Sequence, residues 1–381
     1  MCVNIQDIFK DIKPLGFGLM RLPVDDEDDL KTINIDKFTE MIDTFMDHGF
    51  NYFDTAYIYH KGCSEKVLKK TLVDRYPRNS YKIADKMPIF DLECEEDMQR
   101  IFDEQLQKVG VDYFDYYLLH NVSTKHMKKF TEIDSFNFIK EMKKQGKIKH
   151  IGISSHDTPE FLDKILKAHP EIEFIQLQLN YLDWQDANIQ AKACYDIACK
   201  YDLPVIVMEP LKGGSLVNIP QKGVELFKEY DADKSITSWA FDFNYSLDNV
   251  VMMLSGMRNL DEVNENMHTI DNFTPMNTEK YKIIDKVRDI ILKTIEIPCT
   301  MCGYCLDHCP VGINIAKYFS LYNTQKLLNH KHSIAMYYRN YISQPNVKPS
   351  ECIRCMKCID YCPQNIDIPS YLIKVTNTFE S

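Results

Sequence analysis

Short apolar runs that end in small or polar residues alternate with longer stretches of helical periodicity along most of the chain. Lys13–Leu19, Asn51–Asp54, Tyr81–Ala84 and Phe114–Leu119 read as strands, as do Ile151–Ile153, Phe174–Leu179, Pro204–Met208 and Val250–Leu254. Between them lie helical patterns. Asp36 to His48 repeats Phe38, Ile42, Phe45 and Met46 on one face and stops at Gly49. Ser64–Leu72, with Ser64 placed as an N-cap, is a second helix, and Glu95–Val109, Phe136–Gln145 and Pro159–Ala168 follow. Ala187–Tyr201 and Lys234–Phe243 complete the set. Parallel strands need helical crossovers, so eight strands alternating with helices predict an α/β fold, a (β/α)8 TIM barrel. A doubly wound open sheet is the alternative, but no Gly-x-Gly-x-x-Gly turn joins a strand to a helix.

The chain has 381 residues, more than one barrel needs. The expected division is a barrel over residues 1–275, a linker helix over 276–297 and a smaller module over 298–381. Helix-prone stretches at Ile313–Leu328 and Ser333–Tyr341 make that module mostly helical. No apolar run reaches membrane-spanning length, and the first residues carry no signal-peptide pattern, so a cytoplasmic protein is expected. A net charge of −11 argues against nucleic acid or anionic lipid as the main partner.

Three polar residues fall at or just past successive strand ends: Asp54, Lys86 and His120. Tyr59 follows Asp54 on the loop. In a parallel barrel all four project to the C-terminal face. An ammonium at Lys86, held by Asp54, would depress the phenol pKa of Tyr59, while His120 would orient a carbonyl oxygen. That set suits hydride delivery to a carbonyl, where the developing alkoxide needs a proton. Each residue also has an ordinary role available: a cap at Asp54, a packed ring at Tyr59, a surface lysine, a core histidine.

Gly49-Phe-Asn-Tyr-Phe-Asp-Thr-Ala with Tyr59, Lys86 after a strand, and Leu118-Leu119-His120 together resemble the Asp, Tyr, Lys and His tetrad of the aldo-keto reductases. The resemblance extends over residues 12–270 and includes Gly152-Ile-Ser154-Ser155, Gln176, Pro210-Leu211 with Gly213-Gly214, and Gly256-Met257 with Glu265-Asn266. It implies a nicotinamide cofactor bound without a Rossmann domain and Tyr59 as general acid. It also implies that Ser154, Ser155 and Gln176 hold the nicotinamide carboxamide, with Ser155 standing where the family has Asn. Met208 takes the place of a stacking aromatic. Pro210, Leu211, Gly213, Gly256, Met257, Glu262 and Asn266 would complete the cofactor contacts. Glu262 occupies the position where an Arg commonly binds the 2′-phosphate of NADP. A carboxylate there repels phosphate and suits a free ribose hydroxyl, so NADH is the expected form of NAD(P)H. Arg258, one turn earlier, is the argument for NADPH.

The sequence holds 13 cysteines. Eight of them form two runs, Cys299-x-x-Cys302-x-x-Cys305-x-x-x-Cys309-Pro and Cys352-x-x-Cys355-x-x-Cys358-x-x-x-Cys362-Pro. Thiolates this closely spaced suit iron–sulfur cubanes, whereas zinc sites use separated pairs. Both runs resemble bacterial-type ferredoxin domains, and the helix-prone spacer resembles their α-helical variety. The resemblance implies two 4Fe-4S clusters, one held by Cys299, Cys302, Cys305 and Cys362, the other by Cys352, Cys355, Cys358 and Cys309. Cys63, Cys94, Cys194 and Cys199 lack ligand spacing and are expected to be buried thiols. The whole resembles iron–sulfur-containing aldo-keto reductase-like proteins. The expected function is reduction of a small aldehyde or ketone, with clusters for electron transfer to a redox partner protein or for structure. The alternative is an iron–sulfur electron carrier whose barrel is a docking or nucleotide-sensing module.

Overall fold

A computed structural model describes residues 8–10, 12–26, 29–186, 189–328, 338 and 347–380. Eight parallel strands close into a barrel in sequence order: β1 Leu15–Gly18, β2 Tyr52–Asp54, β3 Lys82–Met87, β4 Phe114–Leu119, β5 Ile148–Ser155, β6 Phe174–Gln178, β7 Val205–Met208 and β8 Val250–Ser255. The expected barrel is therefore present. β8 returns to β1 through Leu15 opposite Met253 and Phe17 opposite Ser255.

The helices form where periodicity and caps coincide. Asn34 accepts a hydrogen bond from Lys37 N at the start of Ile35–Asp47, which buries Phe38, Met41, Ile42 and Phe45. Thr158 does the same for Pro159–Ala168, with the proline in the first turn, where its missing N–H costs nothing. Glu95–Val109 ends on Gly110 in the left-handed region, φ 79°.

Inside the barrel, side chains alternate with the pleat. One inner layer is apolar: Tyr52, Ala84, Tyr116, Phe174, Ile206 and Met252. Gly152 is part of that packing, since a Cβ there would lie 2.4 Å from the Phe174 ring. The next inward positions, two residues further along each strand, are Asp54, Lys86, Leu118, Ser154, Gln176, Met208 and Leu254. One face of this layer is thus sealed by aromatic rings, and the polar groups collect at the strands' C-terminal ends.

Several expected elements change. β3 and β5 run longer than predicted, to Met87 and from Ile148 to Ser155, because inward Lys86 and Ser154, with Asp85 and Ser155 on the opposite parity, break the apolar signal. Lys86 therefore sits within β3 and not after it. Ser64 is not a cap: the helix Ser64–Leu68 starts with Cys63 at the N-cap and no side-chain cap bond, and the Ser64 hydroxyl bonds Thr55 Oγ1 at 2.9 Å. The predicted helix from Ala187 begins at Ala191, after Gln190 at φ 52°, and Ala187 lies outside the described residues. Helices Met127–Glu132, Gln221–Tyr230 and Ile368–Phe379 were not anticipated. The predicted helix Ser333–Tyr341 falls almost wholly outside the described residues. Among the described residues, no helix is long and apolar enough to cross a membrane.

The chain divides into two compact units. One comprises residues 1–186, 190–210 and 240–275; the other comprises 187–189, 211–239 and 276–381. In the second, Thr278–Thr294 packs on Gln221–Tyr230, and Gly223 leaves room for Val287. Its core, Ile297, Tyr318, Phe319, Tyr322, Ile366, Ile368, Leu372 and Val375, joins helix Ile315–Leu328 to helix Ile368–Phe379.

Candidate active site and cysteine cavities

The four residues singled out in the barrel come together. Lys86 is 1% exposed, and its Nζ donates to Asp54 Oδ1 at 2.5 Å, to the Thr55 carbonyl at 2.8 Å and to the Tyr59 hydroxyl oxygen at 3.4 Å. An ammonium has three hydrogens and no acceptor, so these bonds exhaust it. The Tyr59 oxygen is thereby an acceptor from Lys86, and its own proton is directed elsewhere. His120, one residue beyond β4, sets its ring edge-on to Tyr59, centroids 6.1 Å apart. Burial, then the charges of Lys86, His156 and His126, holds the His120 imidazole well below its ordinary value, so it is neutral near pH 7.

The surroundings fix this geometry. Asp54 Oδ2 accepts from Gln176 Nε2 at 2.7 Å. Behind β3, Gln105 Nε2 donates to the Lys86 carbonyl at 3.0 Å, and Gln105 Oε1 accepts from the Tyr117 hydroxyl. Lys86 N donates to Asp85 Oδ1 at 2.8 Å. Asp85 and Glu65 are both fully buried, and burial pushes both carboxyls up. The turn carrying Tyr59 is pinned by the next residue: His60 Nδ1 donates to the Leu30 carbonyl at 2.8 Å, and Nε2 accepts from Leu22 N at 2.9 Å. His60 holds φ 50°, a left-handed conformation that these two bonds stabilise. Neither Thr55 nor His60 was anticipated; both flank residues of the quartet, but nothing in their spacing shows the contacts.

Among the expected nicotinamide contacts, Ser154 and Gln176 face each other in register. Ser154 Oγ accepts from Asn121 N at 2.9 Å and keeps its own hydrogen to donate. Gln176 spends its amide nitrogen on Asp54 and keeps its oxygen. One remaining donor and one remaining acceptor complement a carboxamide, so the residues fit that group. Ser155 differs: it pairs with Leu177, on the opposite parity, and donates to the Val122 carbonyl at 2.9 Å. Met208 ends β7 half-buried. Pro210 and Leu211 lead into the turn Lys212–Gly214, where Gly213 has φ 66°. Gly256 and Met257 follow β8, and a Cβ on Gly256 would lie 3.1 Å from Arg21 Cβ. Glu262 completes a cap: Asn259 Oδ1 accepts from Glu262 N, and Glu262 accepts from Arg258 N at 2.8 Å and from Asn259 Nδ2 at 3.2 Å. Arg258 also pairs with the Glu262 carboxylate at 3.7 Å. Asn266 is buried and donates to Ser255 Oγ at 2.8 Å. A neighbouring polar group not singled out is His156 with Gln178 and Asp183. His156 Nδ1 lies 3.3 Å from Gln178 Oε1, whose Nε2 donates to Asp183. The signal was there, since Gln178 follows Gln176 at strand spacing.

The eight cysteines sort into two cavities. Cys299, Cys302, Cys305 and Cys362 line one, together with Gln364 and Phe319. Cys309, Cys352, Cys355 and Cys358 line the other. Burial, then the charges of Cys302, Cys299, Cys362 and Cys358, pushes the Cys305 thiol up. Burial, then Cys352, Cys309 and Cys355, pushes Cys358 up to about 11. Four thiolates gathered out of water repel one another, and a cationic iron core offsets that cost. Backbone N–H groups of Met301 and Ile313 donate to Cys299 Sγ and Cys309 Sγ, both at 3.4 Å, as ligating sulfurs require. The donor sets thus fit two clusters, each made of three cysteines of one run and the fourth of the other. Of the remaining thiols among the described residues, Cys194 is buried, Cys63 and Cys199 are half-buried, and Cys94 is exposed. Cys94 is the exception to the expected burial because it sits at the surface N-cap of Glu95–Val109.

A parallel barrel with an Asp–Lys–Tyr–His set at the C-terminal ends of its strands, followed by two four-cysteine cavities, defines an oxidoreductase scaffold. The chain belongs to the aldo/keto reductase family, whose model matches residues 14–289. A second model, the 4Fe-4S dicluster domain, matches residues 291–363. An NADH-specific methylglyoxal reductase of Escherichia coli is 27% identical over 197 residues, 46% of this chain and 57% of that one. An NADPH-dependent alpha-keto amide reductase of Saccharomyces cerevisiae is 27% identical over 165 residues, 43% of this chain and 50% of that one. The chain thus spans about half the length of these curated relatives. The holo form of an aldo-keto reductase from Bacillus halodurans superposes with a TM-score of 0.58 at 23% identity, covering 72% of this chain and 91% of that one. At that identity the likeness concerns the fold.

Proposed function

We propose that the chain reduces a small aldehyde or ketone with NAD(P)H, using Tyr59 as general acid, and holds two 4Fe-4S clusters on its eight run cysteines. The observation that carries the first part is the threefold use of the Lys86 ammonium. A bound reduced nicotinamide supplies the hydride to the carbonyl carbon. Lys86 holds the Tyr59 oxygen and stabilises it as its proton leaves for the carbonyl oxygen, which becomes the alcohol hydroxyl. Asp54 fixes the ammonium, and Gln176 fixes Asp54. His120, kept neutral, donates an N–H to the same carbonyl oxygen without adding a competing charge. Ser154 and Gln176 hold the carboxamide.

NADH is the favoured form, because Glu262 keeps the Arg258 guanidinium paired, and a 2′-phosphate would have to displace that carboxylate. The clusters would serve electron transfer with a redox partner protein or the structure of the C-terminal module, and a reducing compartment, the cytoplasm, suits eight thiolate ligands. The test is anaerobically purified protein mixed with NADH or NADPH and methylglyoxal, the substrate named for the Escherichia coli relative, or other short carbonyls. Nicotinamide oxidation matched by alcohol formation, faster with NADH, is expected. Absence of alcohol with every carbonyl, in protein containing full iron, would overturn the reductase reading.

A further inference from the structure

Lys212 was not among the residues expected at either site. It is 4% exposed and has φ 44°, in the left-handed region that side chains rarely adopt. The turn around it is held by Gly214 N and Leu216 N, which donate to the Leu211 carbonyl at 2.9 and 3.1 Å, and by Ser215 N, which donates to the Lys212 carbonyl at 3.1 Å. The Nζ donates to Gln364 Oε1 at 3.2 Å. Gln364 is itself 4% exposed, stands two residues past Cys362 and lines the cavity of Cys299, Cys302, Cys305 and Cys362. A buried cation in a strained turn thus ends one side chain away from a cluster cavity.

We infer that Lys212 is a positioning residue that sets the reduction potential of the first cluster, with Gln364 aiming its ammonium. This rests on the cluster assignment given above. Taking up one electron makes the cluster and its four thiolates one charge more negative. A cation held nearby in a poorly screened interior stabilises that reduced state, so the potential rises. Among the described residues, the second cavity is walled beside its cysteines by apolar side chains such as Val311, Ile313, Ile353 and Leu372, with no polar side chain in the place of Gln364. The link from Lys212 through Gln364 therefore acts on the first cluster.

The test is a dithionite redox titration of the full-length protein followed by electron paramagnetic resonance, with iron content measured on each sample. Wild-type protein without cluster signals would fail the cluster assignment itself, a result separate from this inference. In Lys212→Gln, the reduced-to-oxidised ratio of one cluster at a fixed potential should fall about tenfold, a shift of about 59 mV for a one-electron couple. The other cluster should stay put. Lys212→Arg, which keeps the charge, should hold the wild-type value. Gln364→Met, which leaves the lysine but cuts its link, should shift the same cluster in the same direction by less. Full iron with unchanged potentials in Lys212→Gln overturns the inference, as do equal shifts of both clusters. If Lys212→Gln does not load iron, Gln364→Met decides: an unchanged potential there overturns it.

Discussion

Replacing Lys86 by Met separates what this lysine does for the fold from what it does for the chemistry. The substitution removes the donors to Asp54, Thr55 and Tyr59 and leaves Asp54, 3% exposed, with Gln176 as its remaining side-chain donor. Breaking a buried ion pair by removing one partner costs roughly 3–5 kcal/mol. Losing a preorganised donor to a developing oxyanion costs roughly 2.7–4 kcal/mol of transition-state stabilisation, a fall of ~10²–10³ in turnover. The two losses part company in the double variant. Asp54→Asn added to Lys86→Met removes the orphaned charge, so much of the lost stability should return while turnover stays low. Stability is read by thermal unfolding under far-ultraviolet circular dichroism. Turnover is read by nicotinamide oxidation, and affinity by quenching of nicotinamide fluorescence, which should change little because the carboxamide contacts at Ser154 and Gln176 remain. Wild-type turnover in Lys86→Met would refute the role given to the ammonium.

Cys302→Ala should lose the iron of one cluster and keep the other, with the barrel's circular dichroism intact; unchanged iron content would contradict the ligand set. Gly152→Ala should destabilise the barrel by roughly 1–3 kcal/mol, since the new methyl meets the Phe174 ring; adding Phe174→Leu should recover part of that loss in the same unfolding assay. Burial holds His156 down from an ordinary 6.5 to about 4. The unfolded imidazole therefore takes up its proton first as pH falls, so this contribution to stability is whole above 6.5 and is lost on the way down towards 4. His156→Gln should flatten that acid limb, and an unchanged limb would show that other groups carry it.

The barrel was legible because apolar runs and helical faces alternate so regularly. Glu95–Val109 and Pro159–Ala168 are bounded in the sequence as they are in space, one by Gly110, the other by Thr158 and Pro159. Where the structure departs from the local pattern, polar side chains have a partner far along the chain. Ser64 resembles a cap locally but is claimed by Thr55, and Lys86 truncates an apolar run because Asp54, 32 residues earlier, draws it inward. The quartet's identity could be read, but its hydrogen-bond order could not. That Gln176 would serve Asp54, that Ser155 would turn to Val122, and that Glu262 would cap a helix while pairing with Arg258 are all consequences of register. Helix Ile368–Phe379 carried its signals, Asp367 at the cap and Pro369 in the first turn, close behind the second cysteine run. The link from Lys212 to Gln364 spans 152 residues and has no local signature.

The central claim is that a Lys86-held Tyr59 gives the proton to the carbonyl oxygen as hydride arrives. Single-turnover mixing of Tyr59→Phe with reduced nicotinamide and carbonyl, in protein of full iron content, tests it most directly. General acid catalysis contributes ~10²–10⁴ in rate, so hydride transfer should fall by about that factor while nicotinamide affinity holds. Hydride transfer at the wild-type rate in Tyr59→Phe would contradict the account.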